Sequence, residues 1–142
     1  MTDRAASSER AVVIADDDPA SRELLKDWLE GLSCSVHEAK DGLELMNRVA
    51  SLTSGPHRGA PFLVVSDVNM PECDGLTALH TIRSQYPAAR VVLVTSFPSE
   101  ALIARARALG AEVLEKPLRI QELHAIAQAQ FGVERQADSE ET

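Results

Sequence analysis

Three consecutive carboxylates, Asp16-Asp17-Asp18, follow the small and apolar run VVIA and precede Pro19. Neighbouring carboxylates ~4 Å apart repel by a few kcal/mol when the effective dielectric is near 20. Charge at the end of a strand-like run therefore needs a role, either capping a helix or holding a cation. Three other stretches end in the same manner: FLVVS runs into Asp67, RVVLVT ends on Thr95, and AEVLE is followed by Lys116-Pro117. A pocket gathering Asp16, Asp17 and Asp67 would raise the carboxylates' pKa values or drive the loops apart unless a cation intervened. All-oxygen ligation suits Mg2+ best, with Mn2+ and Ca2+ as competitors. Lys116 adds a point charge and Thr95 a hydroxyl donor, so the set can bind and stabilise a phosphoryl group.

Those residues meet only if the elements carrying them run side by side. Five short apolar runs can be counted: AVVIA (11–15), CSVHEA (34–39), FLVVS (62–66), RVVLVT (90–95) and AEVLE (111–115). Four are rich in Val or Leu, as strands buried on both faces of a parallel sheet are. CSVHEA is more polar and reads as an edge strand. Helical stripes alternate with them: Leu24, Leu25, Trp28, Leu29 and Leu32; Leu45, Met46, Val49 and Leu52; Leu76, Leu79, Ile82 and Tyr86; Pro98 to Leu109, stopped at Gly110; and Ile120, Leu123, Ile126 and Ala127. Asp18 stands at an N-cap position with Pro19 at N1, and Asp74 before another helix. The order (βα)5 implies one doubly wound parallel α/β sheet with right-handed crossovers. Ligands of such sheets bind beyond the carboxyl ends of the strands, where these polar groups stand.

Composition narrows the class. The 142 residues suit one domain, and 44% hydrophobic with 25% charged residues is a globular balance. No apolar run approaches the ~20 residues needed to span a bilayer, and MTDRAASSER lacks an export-signal core, so cytoplasm is expected and no membrane partner. With 22 acidic against 14 basic residues the net charge is −8, which argues against direct nucleic-acid binding. Cys34 and Cys73 show no metal-ligand spacing, and neither do His37, His57, His80 and His124.

The stretches IADDDPASRELL, VVSDVNMPECDGL, VVLVTS and LEKPL, in this order and spacing, resemble the motifs of the response-regulator receiver domain of two-component signalling, the CheY-like superfamily. The resemblance divides the chain into a polar tail (1–10), a receiver domain (11–131) and an acidic tail or start of a linker (132–142). It implies the flavodoxin-like strand order 2-1-3-4-5. It makes Asp67 the phospho-acceptor, fed by a sensor histidine kinase or histidine phosphotransfer protein and forming an acyl phosphate. Asp16 and Asp17 are similar to the family's metal pair, holding Mg2+ (Mn2+ possible) together with Asp67 and the backbone carbonyl of Asn69. Thr95 and Lys116 would bond the phosphoryl oxygens, Pro117 would follow the lysine through a cis bond, and Asp18 is left to cap the helix.

The chain departs from the family at the strand-five position three residues before the lysine, commonly an aromatic switch and here Val113. Phe97, two residues after Thr95, is expected to shield the acyl phosphate from water. The surface of helix four, strand five and helix five, carrying Arg105, Arg107 and Arg119, is where receivers bind downstream proteins or form homodimers; a missing output domain is the other expected recipient of the signal. The protein is expected to be a switch rather than an enzyme, catalysing only its own phosphotransfer and slow autodephosphorylation. Each residue alone has a plainer role: a loop aspartate, a surface lysine, a strand-end threonine. One alternative is a receiver-like interaction module that works without phosphate, against which Asp67 and Lys116 argue. A small-molecule phosphatase would need a second carboxylate two residues after its nucleophile, where Asn69 stands. A nucleotide or flavin binder would need a Gly-rich loop after strand one.

Overall fold

The computed structural model describes residues 10–54, 60–70 and 75–132. Five parallel strands, β1 (Ala11–Ala15), β2 (Ser35–Ala39), β3 (Phe62–Asp67), β4 (Ala89–Thr95) and β5 (Glu112–Glu115), form one sheet in the order β2-β1-β3-β4-β5. Five helices alternate with them: α1 (Pro19–Glu30), α2 (Gly42–Ser54), α3 (Gly75–Gln85), α4 (Glu100–Ala108) and α5 (Ile120–Phe131). This is the doubly wound architecture expected from the alternation, in the flavodoxin-like strand order that the family resemblance implies.

Strand side chains alternate between faces, and the two cores follow that period. Val13, Ala15, Val64, Val91 and Leu93 face Leu45 and Val49 of α2 and Leu79 and Ile82 of α3. Val12, Ile14, Leu63, Val65, Val92 and Val94 face Leu29 of α1 and Leu123 and Ile126 of α5. Because both faces are covered, β1, β3 and β4 are almost wholly buried, whereas β2 and β5 are half-exposed edges. Register places Ala15 beside Ser66, Asp67 beside Val94, and Thr95 beside Glu115. Asp16, Asp67, Thr95 and Lys116 are thereby brought to one edge of the sheet. Among the described residues the buried polar ones are Asp16, Ser66 and Thr95, all at that edge.

Local details differ from the sequence reading in several places, among them one-residue shifts at the ends of β3, β4 and β5. Asp18 is the N-cap residue of α1, but its carboxylate takes the Ser21 hydroxyl at 2.8 Å and makes no capping bond to the backbone. That bond holds the Asp18 carboxyl below its ordinary pKa. Leu24 leaves the apolar stripe and is half exposed. β2 begins at Ser35, one residue after buried Cys34. α4 begins at Glu100 rather than Pro98, because Ser99 caps it through the Leu102 amide at 3.1 Å. It ends at Ala108, two residues before the expected stop at Gly110, whose φ of +84° favours glycine. Tyr86 packs edge-on against Phe62 with ring centroids 6.4 Å apart. His57, Cys73, the Asp74 cap and most of both tails lie outside the described residues.

Candidate functional site

Asp16 is the most thoroughly fixed residue of the pocket. Its amide bonds the Ala39 carbonyl of β2 at 3.0 Å, and its carbonyl accepts from Arg22 Nη1 at 2.7 Å. One carboxylate oxygen accepts the Asp18 amide at 2.9 Å, and the other lies 3.3 Å from Lys116 Nζ. The side chain is only 4% exposed. Burial raises the Asp16 pKa, the more so with Asp67 nearby, although the Asp18 amide and Lys116 oppose it.

Asp67 ends β3 with one carboxylate oxygen 3.0 Å from Lys116 Nζ and the other accepting the Asn69 amide at 3.1 Å. Asn69 itself is exposed. Asp17 is exposed too, and its carboxylate has no partner among the described residues. Asp16, Asp17 and Asp67 each offer an oxygen within 4.8 Å of the others'. Burial alone would lower the pKa of Lys116, but its hydrogen bond to Asp67 and the charges of Asp16 and Asp67 outweigh that and raise it.

Thr95 is anchored through its carbonyl, which accepts the Lys116 amide at 2.8 Å. Its hydroxyl oxygen accepts the Phe97 amide at 3.1 Å, a bond that does not use the hydroxyl proton. The Lys116–Pro117 peptide is cis. Phe97 is 84% exposed, so it stands at the rim and covers nothing in this conformation. Val113 is half-buried against the α2–α3–α4 core, leaving that face of β5 aliphatic. Arg105 and Arg107 lie in the last turn of α4, while Arg119 begins α5 and gives its amide to Glu122 at 3.0 Å.

Two features escape the sequence reading. Leu24, Leu25, Trp28 and Leu118 line an apolar wall that leads into the pocket beside Asp67 and Lys116. Arg22 bonds the Asp16 carbonyl and pairs with Glu38 of β2 at 3.2 Å. The available signal is its place four residues after the helix cap, because helical side chains lean back toward the N-terminus and the preceding strand end.

Three clustered carboxylates, two of them paired with the one Lys116 ammonium, leave unbalanced negative charge in a partly buried site. The donor set is wholly oxygen and open on the Asp17 side, which fits a hard divalent cation that keeps some of its water. A nearby Lys, the Thr95 hydroxyl and such a cation are complementary to a phosphoryl group on Asp67.

The family model of the response regulator receiver domain matches residues 12–128. A probable chemotaxis protein CheY of Rhizobium etli is 36% identical over 128 residues, covering 85% of this chain and 92% of that protein. The regulator of RpoS of Escherichia coli is 30% identical over 111 residues, covering 78% of this chain but 31% of that protein. Among solved structures, the signal receiver domain of an HD domain-containing protein from Pseudomonas fluorescens superposes with a TM-score of 0.73 at 29% identity, covering 93% and 92% of the two chains. The beryllofluoride-activated NtrC4 receiver domain dimer gives 0.75 at 26% identity, covering 86% and 96%. This chain is thus similar in length to the chemotaxis protein, and spans under a third of the RpoS regulator.

Proposed function

From the premise that the chain belongs to the response-regulator receiver domain family of two-component signalling, we propose that it carries its signal as an acyl phosphate on Asp67. An Asp67 carboxylate oxygen attacks the phosphorus of a phosphohistidine on a sensor kinase or phosphotransfer protein. The P–N bond breaks, its electron pair stays on the imidazole, and an O–P bond forms. Lys116, within 3.0 Å of Asp67, shifts its bond from the carboxylate to a phosphoryl oxygen. Thr95 donates its hydroxyl proton to another. A Mg2+ ion held by Asp16, Asp17, Asp67 and the Asn69 carbonyl would supply further positive charge to the transferring group. Asp16, bonded at every polar atom, keeps its ligand oxygen in place, so little reorganisation accompanies the reaction.

The observation that carries this reading is the meeting of Asp16, Asp67 and Lys116, from three separate strand ends, within hydrogen-bonding distance. It speaks against a module that works without phosphate, since such a protein needs neither a buried aspartate nor its lysine. Residues 11–131 are the receiver unit in this reading, with output through a separate partner or an attached domain. No helix among the described residues is long and apolar enough to cross a membrane, and a cytoplasmic site of action agrees with a kinase-fed switch. The protein's chemistry extends to its own phosphorylation and slow dephosphorylation.

The test is mass spectrometry of wild type and Asp67→Asn after incubation with acetyl phosphate and Mg2+. A phosphoryl mass gain confined to wild type is expected. Equal gain in both proteins would move the acceptor elsewhere.

A further inference from the structure

We propose that Arg22 is a positioning residue for the cation site, acting by orienting Asp17, a role that rests on the metal-dependent reading above. Among the three clustered carboxylates, Asp16 and Asp67 each have hydrogen bonds that aim their oxygens. The exposed Asp17 has none, yet one of its oxygens lies within 4.8 Å of theirs. Its side chain is therefore directed by its backbone.

Two peptide planes flank Asp17, and each is pinned from outside. A peptide unit is rigid and planar, so fixing its carbonyl or its amide fixes the whole plane. The plane after Asp17 contains the Asp18 amide, which bonds the Asp16 carboxylate at 2.9 Å. The plane before it contains the Asp16 carbonyl, which accepts from Arg22 Nη1 at 2.7 Å. That bond carries a formal charge on its donor, the stronger class of hydrogen bond.

Arg22 is itself held. Its side chain is 18% exposed, and Nε lies 3.2 Å from Glu38 Oε1 while Lys26 approaches the other Glu38 oxygen at 3.4 Å. Glu38 is in turn fixed in β2 by pairing beside Ile14. The guanidinium fork thus ties the start of α1 to the edge strand with one arm and grips the acidic loop with the other. Without that grip the plane before Asp17 can turn, and the Asp17 carboxylate can leave the cluster.

The test is a Mg2+ titration of wild type, Arg22→Ala, Asp17→Asn and the double variant, followed by 1H–15N NMR, which also shows whether each protein is folded. Loss of one charge-assisted bond, transmitted in part, should weaken Mg2+ binding roughly threefold to tenfold in Arg22→Ala. In the Asp17→Asn background the same change should cost under about twofold, because residues acting through one another do not add. Unchanged affinity in Arg22→Ala, or losses that multiply in the double variant, would overturn the proposal. Should Arg22→Ala prove unfolded, Glu38→Gln carries the comparison: weaker Mg2+ binding supports the proposal and wild-type affinity overturns it. Wild type that shows no saturable Mg2+ shift would remove the metal reading itself, a different outcome from a wild type that binds while Arg22→Ala binds equally well.

Discussion

On the β1–α1 side of the pocket, Asp16 uses its amide, its carbonyl and both carboxylate oxygens in hydrogen bonds, and the strand before it is buried throughout. On the β4–α4 side, Thr95 is buried, but residues 96–100 are all exposed. α4 is nine residues long and buries only Ala106 fully, with Leu102 and Ile103 half-covered. Elements with few buried apolar contacts open at lower free energy than the core. The two halves therefore divide the labour of a switch. In the function proposed above, one would hold ligand atoms still so that phosphate can be received, and the other, loosely packed, would move in response to a change at Thr95.

The harshest way to break that contrast is to remove the cation from the rigid half. Lys116→Ala should abolish stable phosphorylation of Asp67. It should also lower metal-free stability at neutral pH by about 1–2 kcal/mol, since it leaves the carboxylates of Asp16 and Asp67 facing each other in a partly buried site. Urea denaturation measures the second effect. Stability equal to wild type would mean that the ammonium contributes nothing to the rigid half.

Titration sharpens the same point with less force. The folded protein keeps a proton on Asp16 to higher pH than the unfolded chain, whose value is near 3.8. Between those two values the folded state binds more protons at this site, so the contribution of Asp16 to metal-free stability falls as pH rises through that window and is level above it. Lys116 acts in the same direction at the other end of the pH scale: its contribution is complete below 10.5 and is lost as pH climbs through its raised folded value. Mg2+ needs ionised ligands, so it should stabilise at neutral pH by about 1.4 kcal/mol at tenfold excess over its Kd. That gain should vanish on acidification. Melting curves with and without MgCl2 across pH decide it; a Mg2+ effect undiminished at acid pH would place the ion elsewhere.

The same contrast explains what could be read from sequence. β1, β3 and β4 were legible because burial on both faces leaves unbroken Val and Leu runs, and β2 because an edge strand keeps Glu38 and His37 at positions of partial exposure. Asp16, Asp67, Thr95 and Lys116 were legible because strand ends in a doubly wound sheet converge by topology alone. Arg22 was not, because its bond to Asp16 depends on how α1 folds back against β2, and a helical arginine is ordinarily a solvated charge. Leu24 misled for a related reason: on a helical wheel, an apolar residue at the rim of a pocket is indistinguishable from one in the core. Asp18 occupies a cap position, yet Ser21 competes for its carboxylate, a choice that spacing cannot decide.

The mildest prediction concerns the loose half. Phe97 is 84% exposed, so Phe97→Ala should leave stability within about 0.5 kcal/mol of wild type. Its reading as a shield requires that it move. The described restraint from its own amide is the 3.1 Å bond to the Thr95 hydroxyl oxygen, and a rotation of the Thr95 side chain that carries this oxygen toward a phosphoryl group, unlike a turn of its proton alone, would strain or break it. Residues 96–99 would then be free to swing the ring over the acyl phosphate and exclude water. Loss of phosphate from Phe97→Ala, followed by mass spectrometry after the phosphodonor is removed, should be roughly twofold to threefold faster than from wild type. Identical decay would leave Phe97 at the rim in both states, and would confine the response of the β4–α4 side to Thr95 and the helix that follows it.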